Sequence, residues 1–197
     1  GRGSHAAMPH QGVDPVVVGS HIVLALQTIT SRNINPQESL VVSVTQFHAG
    51  EAFNIIPDTV MLKGTCRVFN NELQGTLPDR IQRIVDGVSS TFGAKSELTY
   101  HKGYPATINA EPQTKFCADV AKEIAGSENG VDLKPVPSMG AEDFSYMLQK
   151  RPGCYIWAGN GDSAGLHHPE YDFNDQLLAV GASYWSRLVE QRLPKNI

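Results

Sequence analysis

The 197-residue sequence has no apolar run near the roughly 20 residues that a bilayer-spanning helix requires. Its longest candidate, Val16 to Leu26, is broken by Gly19, Ser20 and His21, so no membrane partner is expected. Blocks of lysine or arginine are missing too, and the net charge of -4 is mild. Nucleic acid and anionic lipid are therefore poor partners. Cysteine is scarce: Cys66, Cys117 and Cys154 form an odd, widely spaced set without a CxxC pair. That excludes a disulfide framework and makes a reducing, cytoplasmic setting the simplest expectation. No signal-peptide pattern opens the sequence, and the HExxH zinc-helix motif is absent.

What is present is ordinary for a globular protein, with 41% hydrophobic and 18% charged residues. Hydrophobic periodicity divides the chain. Asp14 followed by Pro15 reads as an N-cap and first helical residue, with Val18, Ile22, Ala25, Leu26 and Ile29 as the buried stripe. Leu77, Ile81, Ile84, Val85, Val88 and Phe92 form a second helical face, closed by Gly93. Strand alternation appears at Leu40, Val42, Val44, then at Val60, Leu62, Gly64, Cys66, Val68, and again at Leu98 and Tyr100, with IIPDT at 55–59 as the turn between the middle two. A first strand near Gly3 to Ala7 completes the order β-α-β-β-α-β of a ferredoxin-like sandwich, which covers residues 1–104. From 105 to 197 the pattern changes to a helix near 111–125, a short helix after Gly140, a buried strand CYIWAG at 154–159 and a closing helix at 176–191. The fold class is thus α/β (α+β), with the second part resembling half of an α/β domain.

Several polar residues are candidates for chemistry. His167 and His168 stand side by side in GLHHPEYDFND, where adjacent side chains point apart and only one faces a given site. A metal role and a solvated loop are equally compatible with that stretch. His5 and His10 are split by Pro9, and a cap or surface position explains them as well as catalysis does. Glu142 and Asp143 follow Gly140 at a helix start, where carboxylates complement the helix dipole without any ligand. Arg67 in a strand is ordinarily a surface charge, but a guanidinium also clamps a carboxylate in bidentate fashion. Asn54 is ordinary turn chemistry, or an amide that donates to a developing oxyanion.

In order and spacing, GSHAAMPHQGVDPV, AFNIIPDTV, KGTCRVFN, SMGAEDFSYM and LHHPEYDFND resemble the metal-dependent amidohydrolases typified by hippurate hydrolase and the indoleacetyl-amino-acid hydrolases. These are relatives of the aminoacylases and glutamate-type carboxypeptidases, and the resemblance covers essentially the whole chain. It implies that residues 1–104 are a lid and dimerisation domain and that 105–197 are the C-terminal segment of a metallohydrolase catalytic domain. It also implies an N-terminal segment, outside these 197 residues, that carries the remaining metal ligands and the general-base glutamate.

The same resemblance assigns roles. His167 matches a ligand to one of two divalent ions, zinc or manganese, whose site this chain leaves incomplete. His5 matches the lid histidine that polarises the scissile carbonyl in the opposite subunit of a homodimer. Asn54 and Arg67 match residues that hold the amide and carboxylate of a small N-acyl amino acid, and Gly140 and Glu142 match the substrate-side loop. Amide hydrolysis is then the activity of the full-length enzyme, with this chain inactive alone. Two rival readings are a non-catalytic ferredoxin-like binding or oligomerisation module and a small zinc protein using His5, His10 and His167.

Overall fold

Asp14 and Pro15 begin the first helix as the sequence predicts. The computed structural model describes residues 1–127 and 130–193, in two units, Gly1–Ala106 and Thr107–Ile197. The first unit contains β1 (Ser4–His5), α1 (Pro15–Arg32), β2 (Leu40–Ala49), β3 (Ile55–Ile56), β4 (Val60–Val68) and α2 (Asn71–Thr91). The Asp14 carboxylate accepts from the Val16 amide at 2.8 Å, satisfying one of the donors a helix start leaves unpaired. At the other helix, Asn70 caps the amides of Glu72 and Leu73. Gly93 takes φ 71° past the end of α2, and the Ala94 and Gly93 amides donate to the carbonyls of Ser89 and Ser90 at 2.9 and 3.1 Å. Only glycine adopts that backbone without penalty, which explains the stop.

β2 and β4 form an antiparallel ladder, Leu40 opposite Val68 at one end and Ala49 opposite Val60 at the other. Val18, Ile22, Leu26 and Ile29 of α1 and Leu77, Ile81 and Val85 of α2 are buried with Leu40 and Val42, and Leu62, Cys66 and Val68 pack against the same core. Both helices therefore cover one face of this ladder. Arg67, on the alternate parity from Cys66 and Val68, belongs to the other face. Where the register shifts between Val44 and Gln46, β4 places Gly64, and a Cβ there would overlap the Ser43 carbonyl oxygen. The bulge and the glycine are one feature, because the missing side chain lets the bent strand approach.

The mixed α/β class holds, but the four-stranded sheet of a ferredoxin-like sandwich is not formed among the described residues. β1 pairs instead with β3, Ser4 opposite Ile56 and His5 opposite Ile55. The IIPDT stretch is thus more than a turn, since its two isoleucines form a strand of their own. Residues 94–100 make no ladder, although Ala94, Leu98 and Tyr100 pack against the helix-covered core. Apolar alternation locates this segment against the core, but alternation does not specify a hydrogen-bonding partner.

The second unit contains α3 (Glu111–Ala125), α4 (Phe144–Lys150) and α5 (Gln176–Arg192). Cys117 and Val120 of α3 and Tyr184 of α5 form its core, with Phe116, Ile124, Cys154 and Leu188 packed around them. Outside that core, Arg187 and Gln191 reach Glu123 at 2.9 and 2.8 Å. The Arg187 bond, then that of Gln191, holds the Glu123 carboxyl below its usual range. Being exposed, the cluster adds little stability.

The expected buried strand at 154–159 is absent. The Asn109 side chain occupies the place of a partner strand at Tyr155, donating to its carbonyl and accepting from its amide, both at 2.8 Å. Beyond it the segment is open, with Ile156 and Trp157 exposed by 40% and 60%.

Two outcomes follow from this packing. Gly64→Ala forces the strands apart and should destabilise the first unit by about 1–3 kcal/mol, read as a lower urea midpoint. Burial, then the neighbouring Cys117, pushes the Cys154 thiol up from 9.0 to about 11. The folded state thus disfavours the thiolate, so its contribution to stability is complete below pH 9 and is lost as pH rises toward 11. Urea midpoints measured across that window should fall more steeply for the parent than for Cys154→Ala.

Candidate functional site

His5 owes its position to a short ladder at the edge of the first unit. The Ala6 amide donates to the Asn54 carbonyl at 3.0 Å, and the Met8 amide donates to the His5 carbonyl at 2.8 Å. The backbone is thereby held on both sides of the imidazole. The ring is oriented as well: the Ala7 amide donates to His5 Nδ1 at 3.1 Å. A nitrogen that accepts carries no proton, so the neutral ring bears its hydrogen on Nε2. The outcome is a fixed N–H donor that needs no change of charge to polarise a carbonyl.

Asn54 is exposed in the turn just before β3, and its carbonyl accepts from the amide of Ala6, the neighbour of His5. Arg67 lies elsewhere, in β4 opposite Val41, half-buried on the face without helices. Among the described residues no carboxylate forms an ion pair with it. Its charge is available to an external anion, and its mount is a strand rather than a loop. The structure therefore brings His5 and Asn54 together and leaves Arg67 in a separate ladder.

Gly140, Glu142 and His167 belong to the second unit. The Gly140 amide donates to Ser138 Oγ at 3.2 Å, and Glu142 accepts through its carbonyl from the Ser145 amide at 3.2 Å at the start of α4. Neither Glu142 nor Asp143 caps this short helix with its side chain. Burial, and next the Glu142 carboxylate, push the Tyr155 phenol above its usual range. Glu142 thus faces an aromatic row in which Tyr155 lies 5.8 Å from Phe144 and 6.1 Å from Trp157 between ring centroids. No hydrogen bond among the described residues links the Gly140–Glu142 segment to His167.

His167 has φ 68°, the one positive value among the described residues that are not glycine. An L side chain in that region costs on the order of 1 kcal/mol, and such residues cluster at functional sites. The turn is closed by the His168 amide donating to the Gly165 carbonyl at 3.1 Å. His168 has a different task, its Nδ1 accepting from the Glu170 amide at 3.1 Å. The two neighbouring rings are therefore not equivalent: one is engaged by its own loop, while the other is exposed and makes no hydrogen bond among the described residues.

Among the described residues, no three His, Cys, Asp or Glu side chains converge as a metal site. A dinuclear centre needs several oxygen or nitrogen ligands, and the described residues do not by themselves supply such a set.

Two asparagines of structural weight do not stand out in the sequence as candidates. Asn109 pairs with Tyr155 as described, and Asn160 fastens the loop that carries His167. Asn160 Nδ2 donates to Ser163 Oγ at 2.8 Å and to the Asp172 carbonyl at 2.7 Å, while its Oδ1 accepts from the Asn174 amide at 2.8 Å. The one signal in the sequence is an asparagine between two glycines, in GNG at 159–161.

Residues 6–191 match the family model described as peptidase family M20/M25/M40. Hippurate hydrolase of Campylobacter jejuni is 36% identical over 188 residues, 95% of this chain and 49% of that protein. A putative aminohydrolase from methicillin-resistant Staphylococcus aureus superposes with a TM-score of 0.79 at 32% identity, covering 96% of this chain and 48% of the other. The Bacillus subtilis YXEP protein, a dinuclear metal binding peptidase, superposes with a TM-score of 0.68 at 28% identity, covering 92% and 47%. The chain spans about half the length of the curated relatives it matches.

The His5 geometry is directly measurable. At alkaline pH, where free histidine is neutral, long-range nitrogen–proton correlation spectra should show the Nε2–H tautomer for His5. A dominant Nδ1–H form would mean that the Ala7 contact does not set the ring.

Proposed function

Because the chain belongs to peptidase family M20/M25/M40, we propose that the protein hydrolyses the amide bond of small N-acyl amino acids of the hippurate kind. The observation that carries this reading is His5: its Nδ1 is occupied by the Ala7 amide and its Nε2–H is left to donate. A neutral donor of this type stabilises negative charge as it develops on a carbonyl oxygen. Asn54, in the turn that precedes β3, offers a second amide donor for the same group. Arg67 reads the carboxylate of the amino-acid portion, since a guanidinium matches a carboxylate in bidentate fashion. Gly140 and Glu142 form the substrate-side loop of the second unit.

His167 is this chain's contribution to a metal centre whose other ligands lie outside it, holding zinc or manganese. The divalent ions would supply activation of water; the side chains of His5, Asn54 and Arg67 bind and orient. Residues 1–104 act as a lid through which two copies associate, so that His5 of each serves the other's site. A cytoplasmic location and a small-molecule substrate belong to the same proposal; among the described residues no helix is long and apolar enough to cross a membrane.

Three measurements test this reading. In the whole protein, Arg67→Ala should lower kcat/KM for N-benzoylglycine about thirty-fold, the equivalent of about 2 kcal/mol for a lost charge-assisted bond. An unchanged kcat/KM overturns the assignment of Arg67. The 197-residue chain alone should give no turnover of the same substrate, and turnover at the whole protein's rate would sink the shared-site reading. Sedimentation of the whole protein should show a dimer; a monomer at full activity removes the cross-subunit role of His5.

A further inference from the structure

Asn160 engages both the nitrogen and the oxygen of its side-chain amide. Both Nδ2 hydrogens are donated, to Ser163 Oγ and to the Asp172 carbonyl, and Oδ1 accepts from the Asn174 amide. These partners lie 3, 12 and 14 residues further along, so one side chain ties the beginning of the 160–174 loop to its end. The end is itself anchored, because the Leu177 amide donates to the Asn174 carbonyl at 2.9 Å and the Gln176 amide to Asn174 Oδ1 at 3.1 Å, at the start of α5. Midway along the bracketed loop sits His167 with its left-handed backbone.

A strained backbone of this kind persists only where its surroundings over-determine it. The turn bond from His168 to Gly165 closes the apex but leaves the loop free to hinge at its base. Fastening at the base comes from Asn160, and no other side chain in this loop bonds to both of its ends among the described residues. We propose that Asn160 is a positioning residue for His167, holding the closed loop in which that imidazole is presented with φ 68°. This rests on the reading of His167 as a site residue.

The variants also follow from the bonds. Asn160→Ala removes all three contacts, whereas Asn160→Asp keeps the acceptor for the Asn174 amide and loses both donors, setting a carboxylate against the Asp172 carbonyl oxygen. In the whole protein, hydrogen exchange of peptides spanning 160–174 should quicken at least tenfold in both variants, with exchange in α1 and α2 unchanged. At a temperature where each variant is fully folded, kcat for N-benzoylglycine should fall at least tenfold while KM moves less than twofold. A residue that merely stabilised the fold would leave kcat of the folded protein unaltered. Should Asn160→Ala fail to fold, Asn160→Asp carries the same comparison. Unchanged exchange in 160–174, or quickened exchange with an unchanged kcat, overturns the proposal. His167→Ala separates the two levels: if it retains full activity, the role of His167 itself is wrong, while the exchange measurement still decides whether Asn160 closes the loop.

Discussion

Every backbone amide and carbonyl withdrawn from water must find a partner, and much of this chain is shaped by how that demand is met away from regular ladders. In the first unit the long β2–β4 ladder meets it in the ordinary way, and two helices bury their apolar faces on it. Elsewhere asparagine stands in. The Asn109 amide satisfies Tyr155 on both sides, Asn160 closes the loop around His167, and Asn70 and Asn174 serve helix starts. An asparagine side chain reproduces the donor and acceptor of a peptide group, so it substitutes for a strand at a single position without the length a strand requires.

That substitution connects the fold to the candidate chemistry. His5 is oriented by a backbone amide two residues away, within a ladder of only two residue pairs. His167 is presented from a loop whose ends are joined by one side chain. Arg67 sits on a continuous strand whose other face is fixed by the helices. The three residues thus have different mounts, the strand being constrained by the buried core on its other face and the 160–174 loop being joined end to end by a single side chain. The proposed substrate clamp is on the strand, and the proposed metal ligand is on the mount that depends on a single amide.

Regular elements are legible in the sequence because their signals are local and periodic. Asp14–Pro15, the stripe from Val18 to Ile29 and the terminal Gly93 place both long helices, and alternation locates the two long strands. Pairing is not legible in the same way. Nothing in residues 3–7 says that their partner is Ile55–Ile56 rather than a long strand, and apolar CYIWAG reads as a strand because the amide that satisfies Tyr155 lies 46 residues earlier. Candidate residues emerge from ordered motifs, whereas the contacts that orient them do not: the Ala7 bond to His5 and the left-handed turn at His167 leave no periodic trace. Asn160 is equally silent, because asparagine flanked by glycines reads as an ordinary turn.

Parity along β4 carries one more implication. Cys66 and Val68 face the helices while Arg67 faces away, so an inserted or deleted residue between Val60 and Cys66 would exchange these directions, burying a guanidinium and exposing the core. Length variation among natural homologues should therefore be excluded from this strand and admitted in the exposed connection at residues 50–53, where the chain can lengthen without reversing any side chain.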